Sequence, residues 1–134
     1  MRHDDWKVRL IDYVSSCARL PFAYGQHDCA LFAAGCIKAM TDVDLAADWR
    51  GTYSSLKGGL MALKRAGYAD HLALAADHFE KIAPAFAAAG DLAVIDGPEG
   101  AALGVVQGEG VYVLTATSLG ILPLSDAIAA FRVP

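Results

Sequence analysis

The sequence predicts an α+β fold, with N-terminal helices packed on a small antiparallel β-sheet or half-barrel. Three observations carry this. Up to about residue 77 the apolar residues recur with helical period. After His78 the pattern changes to short β-branched or alternating runs, "FEKIAP", "DLAVID", "ALGVVQ", "VYVLTAT" and "GILPL", separated by "GPEG", "GEG" and "SLG" at hairpin spacing. Helices first and strands second is the order of an α+β domain, and 134 residues fit one domain with one core. The expected division is a helical part over about 3–77 and a β-rich part over about 79–134.

The first helix is expected from Asp5 to Arg19. Trp6, Leu10, Val14 and Cys17 lie near helical spacing, with Asp4 or Asp5 as N-cap. Pro21 ends it, and Leu20–Gln26 reads as a turn in which Gly25 permits an unusual backbone angle. Asp28 caps a second helix from Cys29 to Met40, whose apolar face uses Leu31, Phe32, Cys36 and Ile37. Gly35 in its middle implies a close crossing with another element. Thr41–Asp44 is a break, and Leu45–Trp49 fits one helical turn. A capped helix follows from about Ser55 to Ala66, with Gly67 as C-cap. Its Gly58-Gly59 pair again implies tight packing. A short alanine-rich helix covers residues 69–77. The strands then form a meander of about five. Ser125–Phe131 reads as a short closing helix, with Arg132-Val133 at the end of a last strand.

Composition narrows the function classes. The chain is 55% hydrophobic and 19% charged, which is globular and not disordered. A formal charge of −4 and no basic run argue against nucleic acid as a partner. No apolar run approaches the roughly 20 residues of a membrane span. The N-terminus, "MRHDDWKVRLIDYV", has charges where the apolar core of a leader would start. The expectation is synthesis in the cytoplasm without general export. Three cysteines, an odd number, argue against a disulfide framework, and they lack the paired spacing of a zinc site. No metal and no cofactor are expected. Asp42, Asp44 and Asp48 lack the glycine and terminal glutamate of an EF-hand loop.

The stretch with chemistry in it is "PFAYGQHDCALF". A cysteine in the first turn of a helix faces unpaired backbone N–H groups and the positive end of the dipole. Both favour thiolate, and the same N–H groups can stabilise an oxyanion. The adjacent Asp28 charge works partly against the thiolate. The plain alternative is that Asp28 is a cap and Cys29 a small buried hydrophobe.

The pattern from Pro21 onward resembles the NlpC-type cell-wall peptidases, of papain-like fold. That family places a Cys at a helix start after a P-Y-x-[WY]-G turn and an Asp-Cys pair. A small barrel then carries a His in a stretch like G-D-L-V…H-V-G-I-Y-x-G-x-G. Pro21, Tyr24, Gly25, Asp28 and Cys29 match the first part; Gly90, Asp91, Leu92, Gly104, Gly108 and Gly110 match the second. The resemblance implies Cys29 in the nucleophile position and Tyr24 and Asp28 beside it. It also exposes departures. In the register of "ALGVVQGEG" the family His is replaced by Ala102, and the third polar residue by Leu114 with Thr115 nearby. Phe22 replaces the first Tyr, and Ala30-Leu31 replace the Ser-Gly after the Cys.

Four histidines are the other candidates for a base. His27 stands two positions before Cys29 and is the candidate base outside the family pattern. His71 and His78, on the fourth helical segment, would need a rearranged fold to meet Cys29, and His3 belongs to the frayed terminus. "DWRGTYSS" places Trp49, Arg50 and Tyr53 in a loop, the composition of a contact hot spot. Equally, Trp49 and Tyr53 could cover the second helix while Arg50 pairs with Asp44 or Asp48.

Small NlpC-like proteins occur among the tail-tip components of bacteriophages and gene transfer agents. The resemblance therefore implies a non-catalytic, structural tail-tip protein, incorporated in a virion tail, with other tail-tip or hub proteins as partners and peptidoglycan nearby. The alternative is an active cysteine hydrolase or amidase on peptidoglycan using Cys29. A third is a cytoplasmic thiol-based sensor or toxin-like amidase.

Overall fold

The computed structural model describes residues 1–97 and 100–134. The helices are α1 (Trp6–Cys17), α2 (Cys29–Thr41), α3 (Leu56–Arg65) and α4 (His71–His78). The strands are β1 (Glu80–Ile82), β2 (Leu92–Gly97), β3 (Gly100–Gln107), β4 (Gly110–Leu114), β5 (Leu119–Pro123) and β6 (Ala129–Arg132). The turn expected at "GPEG" includes Pro98 and Glu99, which lie outside the described residues.

The six strands form one antiparallel sheet in the order β1-β6-β2-β3-β4-β5. The α+β class is as the sequence predicts, but the sheet is not a simple meander. Only β2 to β5 follow one another in space. The segment expected as a closing helix, Ser125–Phe131, is instead a 3-10 turn at Leu124–Asp126 followed by β6. Its alanines favoured a helix on propensity, yet it is extended and covered on both faces, with the burial pattern of a central strand. Ala129 and Phe131 face the helices and Ala130 is fully buried between them. Inserted between β1 and β2, this strand supplies the hydrogen bonds that β2's free edge would lack.

Helix α2 forms the centre. Phe32, Ala33, Cys36, Ile37 and Met40 are buried against α1 and the sheet. Leu31 and Ala34 are buried on another side, under Ala46, Trp49 and Tyr53. The sequence marked Gly35 as a crossing, and the crossing is with α1: a Cβ there would run into the Tyr13 hydroxyl and ring. Asp5 sits at the N-cap position of α1 but makes no capping bond; its carboxylate is held by Arg9 at 2.7 Å.

Both sheet faces are covered. Leu92, Val94, Leu103, Val105, Leu114 and Phe131 point at the helices. Ala93, Ile95, Val106, Val111 and Val113 form a second cluster under Ala87, Leu124 and Ala127. Asp91 fastens the ends of the chain to the sheet. It is 3% exposed and accepts from the Val133 N–H at 3.0 Å, the Ala88 N–H at 2.9 Å and the Arg2 guanidinium at 3.1 Å.

Gly35→Ala should destabilise the chain by about 1–3 kcal/mol, the range for an overpacked core. Chemical denaturation checks this; an unchanged midpoint would contradict the close α1–α2 crossing.

Candidate functional site

The turn before Cys29 is built from the residues the sequence singled out. Ala23 and His27 pair as an isolated bridge, with N···O distances of 3.0 and 2.8 Å. Gly25 closes this turn at φ +81°. A side chain there would meet the carbonyl of Tyr53, and the Gly25 carbonyl accepts from the Gly51 N–H at 2.8 Å. The glycine is thus needed twice, for its backbone angle and for the close approach of the 51–53 loop.

Asp28 locks this arrangement. Its carboxylate is 3% exposed and caps α2 by accepting from the Leu31 N–H at 2.9 Å. It also accepts from the Gly25 N–H at 3.0 Å and the Tyr53 hydroxyl at 2.6 Å. Burial, and then the hydrogen bond to Asp28, raise the Tyr53 phenol far above its ordinary pKa. Cys29 follows as the first residue of α2 and is half-exposed, whereas Cys17 and Cys36 are buried. Burial raises the pKa of both of those thiols.

Trp49, Arg50 and Tyr53 have internal tasks. Trp49 and Tyr53 pack on Leu31, Ala34 and Ala46. Arg50 donates to Asp44 through Nε at 2.9 Å and through a terminal nitrogen at 3.2 Å. Tyr24 stacks edge-on against Phe22, with ring centroids 5.0 Å apart.

A cavity of about 120 Å³ opens beside Cys29, partly exposed to solvent. Tyr24, Asp28, Cys29, Trp49, Tyr53 and His71 line it together with an apolar wall that includes Leu103 of β3. Arg50 and His27 do not line it. His27 is 6% exposed, and its ring is paired with the Cys17 carbonyl at the end of α1. The structure therefore does not bring this candidate base to the thiol's cavity.

It brings His71 there instead, at the first position of α4. No expectation from the sequence placed His71 in a cavity with Cys29, and it lies in one. Asp70 caps α4 through the Ala73 N–H at 2.8 Å and sets the helix against the same cavity. Nothing in the local sequence announced this, because it depends on tertiary packing that brings α4 to the same cavity as the start of α2. Burial lowers the His71 pKa, against opposing effects of Asp70, the Ala101 carbonyl and Asp28. The Nε2 atom is buried with no hydrogen-bond partner. An unpaired buried polar atom costs about 1–3 kcal/mol.

The register at β3 decides which face each residue takes. Ala102 pairs with Ile95 and packs in the cluster on the far face of the sheet. The helix-facing neighbours are Ala101 and Leu103, since side chains alternate along a strand. On β4 the helix-facing residues are Tyr112 and Leu114. Thr115 is exposed and closes the β4–β5 turn, donating to the Ser118 carbonyl at 2.9 Å.

Among the described residues no group of three His, Cys, Asp or Glu is placed to hold a metal ion. Asp42, one of the acidic residues weighed for calcium, is 2.7 Å from the His3 ring. Among the same residues no helix is long and apolar enough to cross a membrane.

Helices on an antiparallel sheet, with a cysteine opening the central helix, are the layout of a papain-like, NlpC/p60 fold. The structure is similar to the crystal structure of the NlpC/p60 domain of the peptidoglycan hydrolase SagA, with a TM-score of 0.60 over 94% of this chain and 97% of that one. Identity is 14%, so the likeness speaks for the fold. By sequence, residues 1–133 match the family described as a domain of unknown function, DUF6950, and the chain belongs to that family. No curated protein matches it.

Two sets of substitutions test the site's framework. Asp28→Ala removes a cap and strands two buried donors, so a loss of about 2–3 kcal/mol is expected; Tyr53→Phe should cost about 1–2 kcal/mol. Denaturant midpoints read both. The second concerns pH. His27 and His71 are both held below the ordinary value of 6.5 by burial. The unfolded chain takes up protons as pH falls through that value while the folded chain does not, so these residues favour folding above it and progressively lose that contribution below it. Stability should fall between pH 7 and 5, and His27→Gln and His71→Gln should each flatten the fall. A slope unchanged in both variants would contradict the burial of these rings.

Proposed function

We propose that this chain is a non-catalytic protein of NlpC-like fold that acts by binding, as a structural component of a phage or gene-transfer-agent tail tip. The observation that carries the non-catalytic part is the sheet wall facing the helices. Ala101 and Leu103, the β3 residues that face the helices, carry no imidazole, Ala102 stands at the position where the resemblance expects one, and Leu103 lines the cavity beside Cys29. A thiol without a base and acid forgoes a factor of roughly 10²–10⁴. The support for the tail-tip placement is the resemblance of this chain to small NlpC-like tail components. Other tail-tip or hub proteins are then the partners, and peptidoglycan is the surface they meet.

One observation favours a second reading, a cysteine hydrolase or amidase. His71 lines the cavity that Cys29 lines, and its Nε2 has no partner. A neutral imidazole is the form a general base takes.

Digestion of purified peptidoglycan separates the two. No clearing above buffer is expected, and Cys29→Ala should match the wild type. Clearing that is lost in both Cys29→Ala and His71→Gln would establish the hydrolase instead. The tail-tip placement is checked by mass spectrometry of purified particles from the host; absence of the chain from them would sink it.

A further inference from the structure

We infer that the chain pairs with a second copy of itself through the free edge of β5. The two strands run antiparallel about a two-fold axis at Ile121, and one sheet continues across both copies. This rests on neither functional reading.

The sheet ends in β1 on one side and β5 on the other. The two edges are built differently. Strand β1 is three residues long and carries Glu80 and Lys81, and a short, charged edge resists pairing. Strand β5, "LGILP", is five residues long and has no such protection. No charged residue stands between Glu109 and Asp126. Ile121 is 66% exposed and Leu122 37%, on opposite faces of the strand. An apolar edge of this kind is a template for another strand.

Backbone phase decides which groups the edge offers. The Thr115 N–H donates to the Ser118 carbonyl at 3.0 Å, and the Leu124 N–H to the Glu109 carbonyl at 2.9 Å. Both bonds belong to the register that pairs Val113 with Gly120 and Val111 with Leu122. Hydrogen-bonded and non-bonded pairs alternate along an antiparallel ladder, so Gly120 and Leu122 turn their backbone groups to β4. Leu119, Ile121 and Pro123 turn theirs outward. Proline has no N–H, so the edge offers two donors, from Leu119 and Ile121, and a carbonyl from each of the three.

This set complements itself, which is the reason for a second copy as the occupant. With Ile121 opposite Ile121, each Ile121 N–H meets the other's carbonyl. Each Leu119 N–H then meets a Pro123 carbonyl. Every outward donor is satisfied, and only the Leu119 carbonyls are left to water. The same register sets Leu122 of one copy opposite Gly120 of the other. A Cβ at Gly120 would find nothing nearer than the Val113 carbonyl at 4.0 Å, so the leucine has room. No charge within the edge opposes its own copy.

Sedimentation equilibrium of the full chain measures the association. The melting temperature at dilution, where the copies separate, confirms that each variant folds. A concentration-dependent dimer is expected. Ile121→Lys sets like charges directly opposite and should weaken it by about tenfold or more. Ile121→Pro removes only outward N–H groups, which an edge strand tolerates, and should also weaken it. Ile11→Lys, at a half-exposed apolar side chain of α1, should leave the dimer intact. Facing Cα atoms of a hydrogen-bonded pair are about 5.5 Å apart, within disulfide reach. In a Cys29→Ala background, Ile121→Cys should therefore cross-link two copies on oxidation and Ile11→Cys should not. A chain monomeric up to about 1 mM would overturn the inference and leave the edge to a strand of another protein. A dimer unaltered by either Ile121→Lys or Ile121→Pro, or cross-linking no faster at residue 121 than at residue 11, would overturn it as well. Growth beyond the dimer would do the same, because a two-fold pair uses up the edge.

Discussion

The near-complete burial of α2 is the constraint around which the chain is arranged. A helix apolar on almost every side must be enclosed. Here α1 crosses it at Gly35, the sheet lies along Phe32, Cys36 and Met40, and the 46–53 segment closes the remaining side over Leu31 and Ala34. A helix held this way has a fixed start. Asp28 secures that start by taking hydrogen bonds from the turn before it, from the helix itself and from Tyr53. The position of Cys29 is thus a consequence of core packing, whatever the thiol does.

This explains why the loop "DWRGTYSS" carries aromatic and arginine residues without needing a partner to account for them. Gly51 donates to Gly25, Tyr53 donates to Asp28, and Arg50 is committed to Asp44. The loop is a brace for the cysteine turn. A similar division applies to the buried acids. Asp91, in the "GDL" that resembles the peptidase barrel, ties Arg2 and Val133 to the sheet.

The cavity is where framework and function part. Its sheet wall is apolar at Leu92 and Leu103. Yet an imidazole is present from another direction, on α4. Its burial keeps it neutral at ordinary pH and leaves one nitrogen without a partner.

Much of this was legible in local pattern. The four helices, the caps at Asp28 and Ser55, the crossing at Gly35 and the turn at Gly25 all follow from spacing and from backbone requirements set by the nearest few residues. The α+β class follows from the change of period after His78. Other features have causes far away in sequence. Strand β6 forms because β1 and β2 offer it edges on both sides, which outweighs the helical preference of its alanines. The face of Ala102 depends on the pairing register with β2, and a shift of one residue reverses every side chain. His71 shares a cavity with Cys29 because tertiary packing brings α4 to the start of α2. Local propensity acts over a few residues. Strand partners, strand faces and the neighbours of a catalytic position are set by which apolar surfaces bury one another, and that is a property of the whole packed chain.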